Sequence, residues 1–100
     1  MPDYHWIYMI ECDNGSYYTG YTVDLDARYQ AHLDGKSKYT RSFKPVKLAQ
    51  SWHLAISRSM ALRIEALIKA QNRSIKLQLI EKPELLDTLI LDKLGDKLGR

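Results

Sequence analysis

Apolar and polar positions alternate between two rhythms along this 100-residue chain. Residues 4–12, YHWIYMIEC, are rich in aromatic and β-branched side chains and predict a strand. Asp13-Asn14-Gly15 follows as a turn signal, because Asn and Gly tolerate the positive φ of tight hairpins. Residues 16–22 return as a second strand. Asp24 can cap a helix reaching about Leu33, with Leu25, Tyr29 and Leu33 on one stripe, and Gly35 stops it. Residues 36–45 are polar and basic and read as a loop. A third strand is expected over 46–52, although Lys47 and Gln50 weaken its alternation. Ser57 or Ser59 opens the best-patterned helix, running to about Asn72 with Met60, Ile64, Leu67 and Ile68 inward. Ser74 can cap a shorter helix that ends before Pro83, and residues 84–94 form a last amphipathic helix. The tandem Asp-Lys-Leu-Gly at 92–95 and 96–99 is too short for a repeat architecture and reads as a fraying tail. The order ββαβαα over residues 1–82 predicts an α+β fold, a three-stranded sheet flanked by helices. Residues 83–100 add a C-terminal helix and tail to the same domain.

The hairpin determines which side chains meet. With a three-residue loop at 13–15, Ile10 faces Tyr18 and Tyr8 faces Gly20, so Tyr8 and Tyr18 become diagonal neighbours on one face. A two-residue loop would put them on opposite faces. Gly20 opposite Tyr8 would leave a notch where a ligand can approach the backbone. Core packing alone also accounts for two such tyrosines.

Charge changes the picture next. Between Lys36 and Lys76 stand ten Lys or Arg residues and a single carboxylate, Glu65, although the net charge is only +3. A segregated basic stretch suits a polyanion, with a solvated surface as the plain alternative. Glu65, alone in that stretch, either pairs with Lys69 four residues on or holds a hard cation. Arg28 and His32, also four apart, share a helical face where one can stabilise phosphoryl oxygens and the other move a proton. His5, His32 and His53 are widely separated, and no CxxC, HExxH or Gly-rich phosphate loop appears, so zinc and nucleotide cofactors have no supporting motif. A lone Cys12 fits a reducing compartment, no apolar run approaches about 20 residues, and the start MPDYHWIY lacks signal-peptide features. A cytoplasmic protein without membrane attachment is expected.

Taken together, Trp6-Ile7-Tyr8, Tyr18-Thr19-Gly20, Thr22-Val23-Asp24-Leu25, Arg28, His32, Gly35-Lys36, Lys38-Tyr39-Thr40-Arg41, Pro45, Ala61-Leu62, Glu65, Ile68 and Lys69 resemble the GIY-YIG nucleases. The likeness covers roughly residues 4 to 80 and is nearest in type to short single-domain bacterial members related to the nuclease domain of branched-DNA resolvases. It implies a three-stranded antiparallel sheet and one divalent ion, Mg²⁺ or Mn²⁺, assisting hydrolysis of DNA phosphodiesters. Branched and nicked DNA are the candidate substrates. Tyr8 and Tyr18 would bind or deprotonate the nucleophile, with Arg28 and the metal drawing the phenol pKa down. Arg28 would hold the scissile phosphate, Glu65 would ligate the metal, and His32 falls where several members have a catalytic His. Lys36, Lys38, Arg41 and Lys44 would contact phosphates. Trp6 and Thr19 depart from the family's Gly and Ile, and long DNA-binding extensions have no counterpart. A nucleic-acid-binding module of the same fold with negligible turnover is the alternative.

Overall fold

The computed structural model describes residues 3–95. Strands β1 (His5–Cys12), β2 (Tyr17–Thr22) and β3 (Pro45–Leu54) form an antiparallel sheet in the order β2-β1-β3. Helices α1 (Leu25–Leu33) and α2 (Lys38–Ser42) separate β2 from β3, and α3 (Arg58–Lys69), α4 (Arg73–Glu81) and α5 (Leu85–Leu94) follow it. The α+β sheet-and-helix architecture expected from the pattern is the one observed.

The central strand explains its own composition. Ile7 and Met9 bury against Ile64, Ile68, Leu79, Leu86 and Ile90 of α3, α4 and α5. Tyr8, Ile10 and Cys12 point to the other face, beneath Leu25, Tyr29 and Tyr39. A strand covered on both faces has no reason to alternate polar with apolar, and β1 does not. The hairpin has the three-residue loop. Cys12 and Gly15 N–H donate to Ser16 and Cys12 carbonyls (both 2.9 Å), and Gly15 takes φ +81°. Tyr8 therefore pairs with Gly20 and Ile10 with Tyr18.

Several local expectations are corrected. The basic segment holds a five-residue helix, α2, because Thr40 is buried and Tyr39 stacks between Tyr18 and Phe43 (ring centroids 5.3 Å from each). Strand β3 is longer than expected and slips register between Met9/Ile10 and Glu11/Cys12, which accounts for its broken alternation. Along α1 the buried residue is His32, while Leu33 is 48% exposed. In α3 Ala61 is buried with Ile64 and Ile68, whereas Met60 and Leu67 are only partly so. Asn72, not Ser74, caps α4 by accepting from Ile75 N (2.9 Å), and Ser57 caps α3 by accepting from Met60 N (3.1 Å). Residues 92–94 of the tandem motif are the last turn of α5, ended by Gly95 at φ +69°, while residues 96–100 lie outside the described residues. Trp52 Nε1 donates to Pro83 O and Gln50 Nε2 to Ile80 O (both 2.9 Å), tying the terminal helices to β3. Among the described residues, no helix is long and apolar enough to cross a membrane.

Candidate active site

Strand β1 and helix α1 deliver the centre of the site. Asp24 caps α1 by accepting from Ala27 N (3.1 Å), and this start sets the phase that turns both Arg28 and His32 onto the sheet. Arg28 Nε donates to Tyr8 Oη (3.3 Å), and Tyr8 Oη lies 3.0 Å from His32 Nε2. On the ring's far side His32 Nδ1 lies 2.9 Å from Thr40 Oγ1 of α2. Tyr8, His32 and Thr40 are all essentially buried. With Tyr8 oxygen accepting from Arg28, its own proton can be donated to His32 Nε2 when that nitrogen is bare.

Burial sets the resting charge of this chain of groups. It raises the Tyr8 phenol to about 12, outweighing the downward pull of Arg28. Arg28 alone therefore does not draw the Tyr8 phenol down, and the expected lowering would have to come from the metal. His32 is pushed down to about 4, first by burial and then by the Arg28 charge. Near neutral pH Tyr8 is thus protonated and His32 neutral. Arg28 is held more firmly cationic by Tyr8.

Gly20 has a different use from the one its position suggests. A Cβ there would stand 2.5 Å from Tyr8 Oη and 2.6 Å from its Cζ. The space opposite Tyr8 is taken by the Tyr8 ring itself, which closes the expected ligand notch.

Tyr18 stands in front of this buried core, its ring 6.2 Å from Tyr8 and 4.9 Å from His32. With Arg28, Lys36, Lys38, Tyr39 and Phe43 it lines an open groove of about 630 Å³. Tyr18 and Arg28 thus share a cleft, whereas Tyr8 reaches it only through them. Arg41 and Lys44 line a separate cleft of about 320 Å³ with His32 and Thr40. The four cations of the basic segment divide between two clefts, Lys36 and Lys38 before and at the start of α2 and Arg41 and Lys44 at and beyond its end. The wider basic stretch is also dispersed. Lys47 pairs with Glu11 (3.9 Å), Arg58 donates to Tyr21 Oη (3.3 Å), and Arg73 donates to Gly15 O (2.7 Å).

Glu65 comes from α3, which packs on the opposite face of the sheet. Its link to the site runs through its ion-pair partner Lys69. Lys69 Nζ, 3.4 Å from Glu65 Oε1, sits 5.8 Å from the centre of the Tyr18 ring. The ion pair with Lys69 is therefore present, and it lies beside Tyr18. Only 18% of the Glu65 side chain is exposed. The remaining histidines are placed elsewhere: His5 Nδ1 bonds Ile56 O (2.9 Å), and His53 stacks on Trp6 at 4.3 Å.

Thr40, Tyr39 and Phe43 join the site without having been expected there. The Tyr39-Thr40 dipeptide is visible in the chain, but its contacts depend on α2 folding back over α1.

Fold and site together define a small single-sheet α+β protein with an aromatic and cationic groove over a buried Arg-Tyr-His cluster. Residues 4–78 match the family model described as the GIY-YIG catalytic domain, and the chain belongs to that family. Among its relatives is UPF0213 protein BH0048 of Halalkalibacterium halodurans, 43% identical over 77 residues that cover 76% of this chain and 81% of that protein. UPF0213 protein HQ_3675A of Haloquadratum walsbyi is also 43% identical, over 82% of this chain and 92% of its own. The solution NMR structure of UPF0213 protein BH0048 from Bacillus halodurans is similar in fold, with TM-score 0.51, 39% identity, and coverage of 86% of this chain and 95% of that one.

Proposed function

We propose that this protein is a divalent-metal-dependent endonuclease that hydrolyses DNA phosphodiesters in the Tyr18–Arg28 groove, with branched and nicked DNA as the forms to be tried first. The observation that carries this reading is the bonded series Arg28–Tyr8–His32 at the foot of a groove bearing Lys36 and Lys38. Such a series supplies a cation for a phosphate and a proton acceptor behind a hydroxyl, the two things phosphodiester hydrolysis requires of side chains.

Arg28 has Nε committed to Tyr8, also interacts with Tyr18, and lines the groove, where its guanidinium can meet phosphate oxygens. Its charge is one of the two causes that keep His32 neutral. A phosphate bound at Arg28 offsets that charge and makes His32 a better base, so substrate arms the site in the productive direction. When the attacking water loses its proton to Tyr18, the Tyr18 proton passes to Tyr8 and Tyr8 passes its own to His32 Nε2. Tyr8 then never has to exist as a free phenolate with a pKa of about 12. Tyr18, facing the groove, orients the water.

The donor set fits a hard cation. Among the described residues no three His, Cys, Asp or Glu side chains cluster to make an all-protein cage. Glu65 offers one mostly buried carboxylate beside Tyr18. Mg²⁺ and Mn²⁺ accept one carboxylate and complete their shells with water and substrate phosphate, whereas a zinc site needs more protein ligands. Bound at Glu65, the ion would supply charge neutralisation at the phosphoryl and leaving oxygens.

Glu65→Gln tests the reading. Cleavage of labelled duplex, nicked and branched DNA is measured across a Mg²⁺ or Mn²⁺ titration, alongside DNA binding without metal. The variant should lose metal-dependent cleavage, keep its DNA affinity, and melt within a few degrees of wild type, since an i, i+4 helix pair whose lysine is half exposed contributes about 0.3–0.5 kcal/mol. Cleavage at the wild-type rate would end the metal assignment. Wild-type protein that binds DNA but cuts none of these substrates would favour a binding module instead. The groove's cations support that second reading independently of the buried cluster.

A further inference from the structure

Thr40 stands behind His32, on the side of the ring away from Tyr8. It lies on a five-residue helix, is 2% exposed, and touches the one ring nitrogen of His32 that Tyr8 does not use. We infer that Thr40 is a positioning residue that locks His32 in the Nδ1–H tautomer, leaving the Nε2 lone pair facing Tyr8. This inference deepens the nuclease reading and rests on it only for its kinetic consequence.

Donor counting selects the tautomer. A neutral imidazole carries a single proton, on one nitrogen or the other. If Nε2 carried it, Tyr8 oxygen would face two N–H donors, one from Arg28 and one from His32. The phenolic proton would then turn outward to Tyr18, the other hydroxyl that acts on Tyr8, and could no longer be passed inward to His32. With the proton on Nδ1 each group has a partner. Arg28 donates to Tyr8, Tyr8 donates to His32, and His32 donates to Thr40 Oγ1. The hydroxyl of Thr40 can still donate, because Thr40 and His32 also line the cleft shared with Arg41 and Lys44. A hydroxyl is the suitable group here. A carboxylate at this place would attract protons to the ring and hold His32 charged, which would fill the lone pair Tyr8 needs.

The same geometry makes the proton transfer balance. One proton leaves the attacking water for Tyr18 oxygen as the Tyr18 proton moves to Tyr8 oxygen and the Tyr8 proton to His32 Nε2. His32 becomes an imidazolium with both nitrogens bonded, Nε2–H to Tyr8 and Nδ1–H to Thr40. Thr40 neither gains nor loses a proton in the step. Its part is to keep the ring's orientation and tautomer ready for it.

The test uses full-length ¹⁵N-labelled protein and two variants, Thr40→Val and Thr40→Ser. Long-range proton–nitrogen NMR at neutral pH reads which His32 nitrogen bears hydrogen. Wild type and Thr40→Ser should show protonated Nδ1 and bare Nε2. Thr40→Val, nearly the same shape with no acceptor, should shift His32 mainly to the Nε2–H form. On the substrate that wild type cuts, kcat of Thr40→Val should fall about 10²-fold, within the range for general-base assistance, and Thr40→Ser should restore it. KM should stay within about threefold, because Thr40 does not touch the groove's phosphate donors. Protonated Nε2 in wild type, or a Thr40→Val spectrum that keeps Nδ1–H, would overturn the inference. Wild type with no cleavage would remove the nuclease reading while the spectra still decide the role of Thr40.

Discussion

Two small residues on β2 show how tightly the site constrains single atoms. At Gly20 the obstacle to any larger residue is the Tyr8 phenol, whose oxygen is held by Arg28 and His32 and so cannot slide aside. Gly20→Ala should displace Tyr8 from His32, destabilise the fold by about 1–3 kcal/mol as overpacking does, and abolish cleavage. Denaturant unfolding together with the His32 NMR signals checks this, and unchanged signals would show that the Tyr8 ring has more freedom than its contacts indicate. One position earlier, Thr19 pairs with Met9, so its side chain faces α3–α5 on the reverse of the sheet. It is 2% exposed and its Oγ1 has no hydrogen-bond partner. A buried, unbonded hydroxyl costs roughly 1–3 kcal/mol, and valine has the same shape without that cost. Thr19→Val should therefore raise stability by about 1 kcal/mol, or roughly 4–8 °C in Tm for a domain of this size. Its distance from the groove face predicts unchanged cleavage. A Tm at or below that of wild type would mean that the hydroxyl is satisfied in solution.

At the level of elements, what can be read from the chain depends on whether a contact is local. Asn14-Gly15 sets the loop length, the loop length sets the phase of β2, and so the pairing of Tyr8 with Gly20 is legible in the sequence. The i, i+4 spacing likewise places Arg28 and His32 on one face, and Glu65 with Lys69. Contacts between elements are not legible in this way. Ser37 makes no side-chain cap bond to α2, and a five-residue helix with two lysines or arginines has no amphipathic signal, so the segment reads as loop. It is helical because Thr40 and Tyr39 pack onto His32 and Tyr18, partners 8 and 21 residues earlier. The slips in β3 and the burial-raised pKa of Tyr8 are tertiary consequences of the same kind. The helix has a functional corollary, since Lys36 and Lys38 before and at its start line the groove while Arg41 and Lys44 at and beyond its end line the other cleft. Lys36→Glu with Lys38→Glu should weaken DNA binding at least about tenfold and lower the slope of log affinity against log salt by about two. Arg41→Glu with Lys44→Glu should change affinity by less than about threefold at the same ionic strength. Fluorescence anisotropy over a salt series separates the two, and equal losses would mean that DNA covers both clefts.

Considered as a whole molecule, the protein has placed an ionisable ring between its sheet and its smaller helical layer, and this makes global stability depend on pH. His32 is fully buried, contacting Tyr8 on β1 and Thr40 on α2. Burial first, and the Arg28 charge second, lower its pKa from 6.5 to about 4. A histidine with a lower pKa when folded binds fewer protons in the native state than in the unfolded one. Its contribution is therefore complete above about pH 6.5 and is lost as pH falls from there towards about 4. The whole shift corresponds to about 3 kcal/mol, a large part of the roughly 5–15 kcal/mol that holds a domain of this kind together. Unfolding free energy from urea titration should be level from pH 8 to 6.5 as far as His32 is concerned. Between pH 6 and 5 it should fall with a slope approaching about 1.4 kcal/mol per pH unit from this group alone. His32→Asn cannot acquire the charge, so it should start less stable at pH 7 yet lose that part of the slope. Direct NMR titration of the folded wild type should find His32 still neutral at pH 5. A wild-type slope that persists unchanged in His32→Asn, or a His32 midpoint near its ordinary 6.5, would show that the ring is neither desolvated nor opposed by Arg28. The neutral acceptor behind Tyr8 would then begin to be lost as pH falls through 6.5 and not only towards about 4, and cleavage would fail at a correspondingly higher pH.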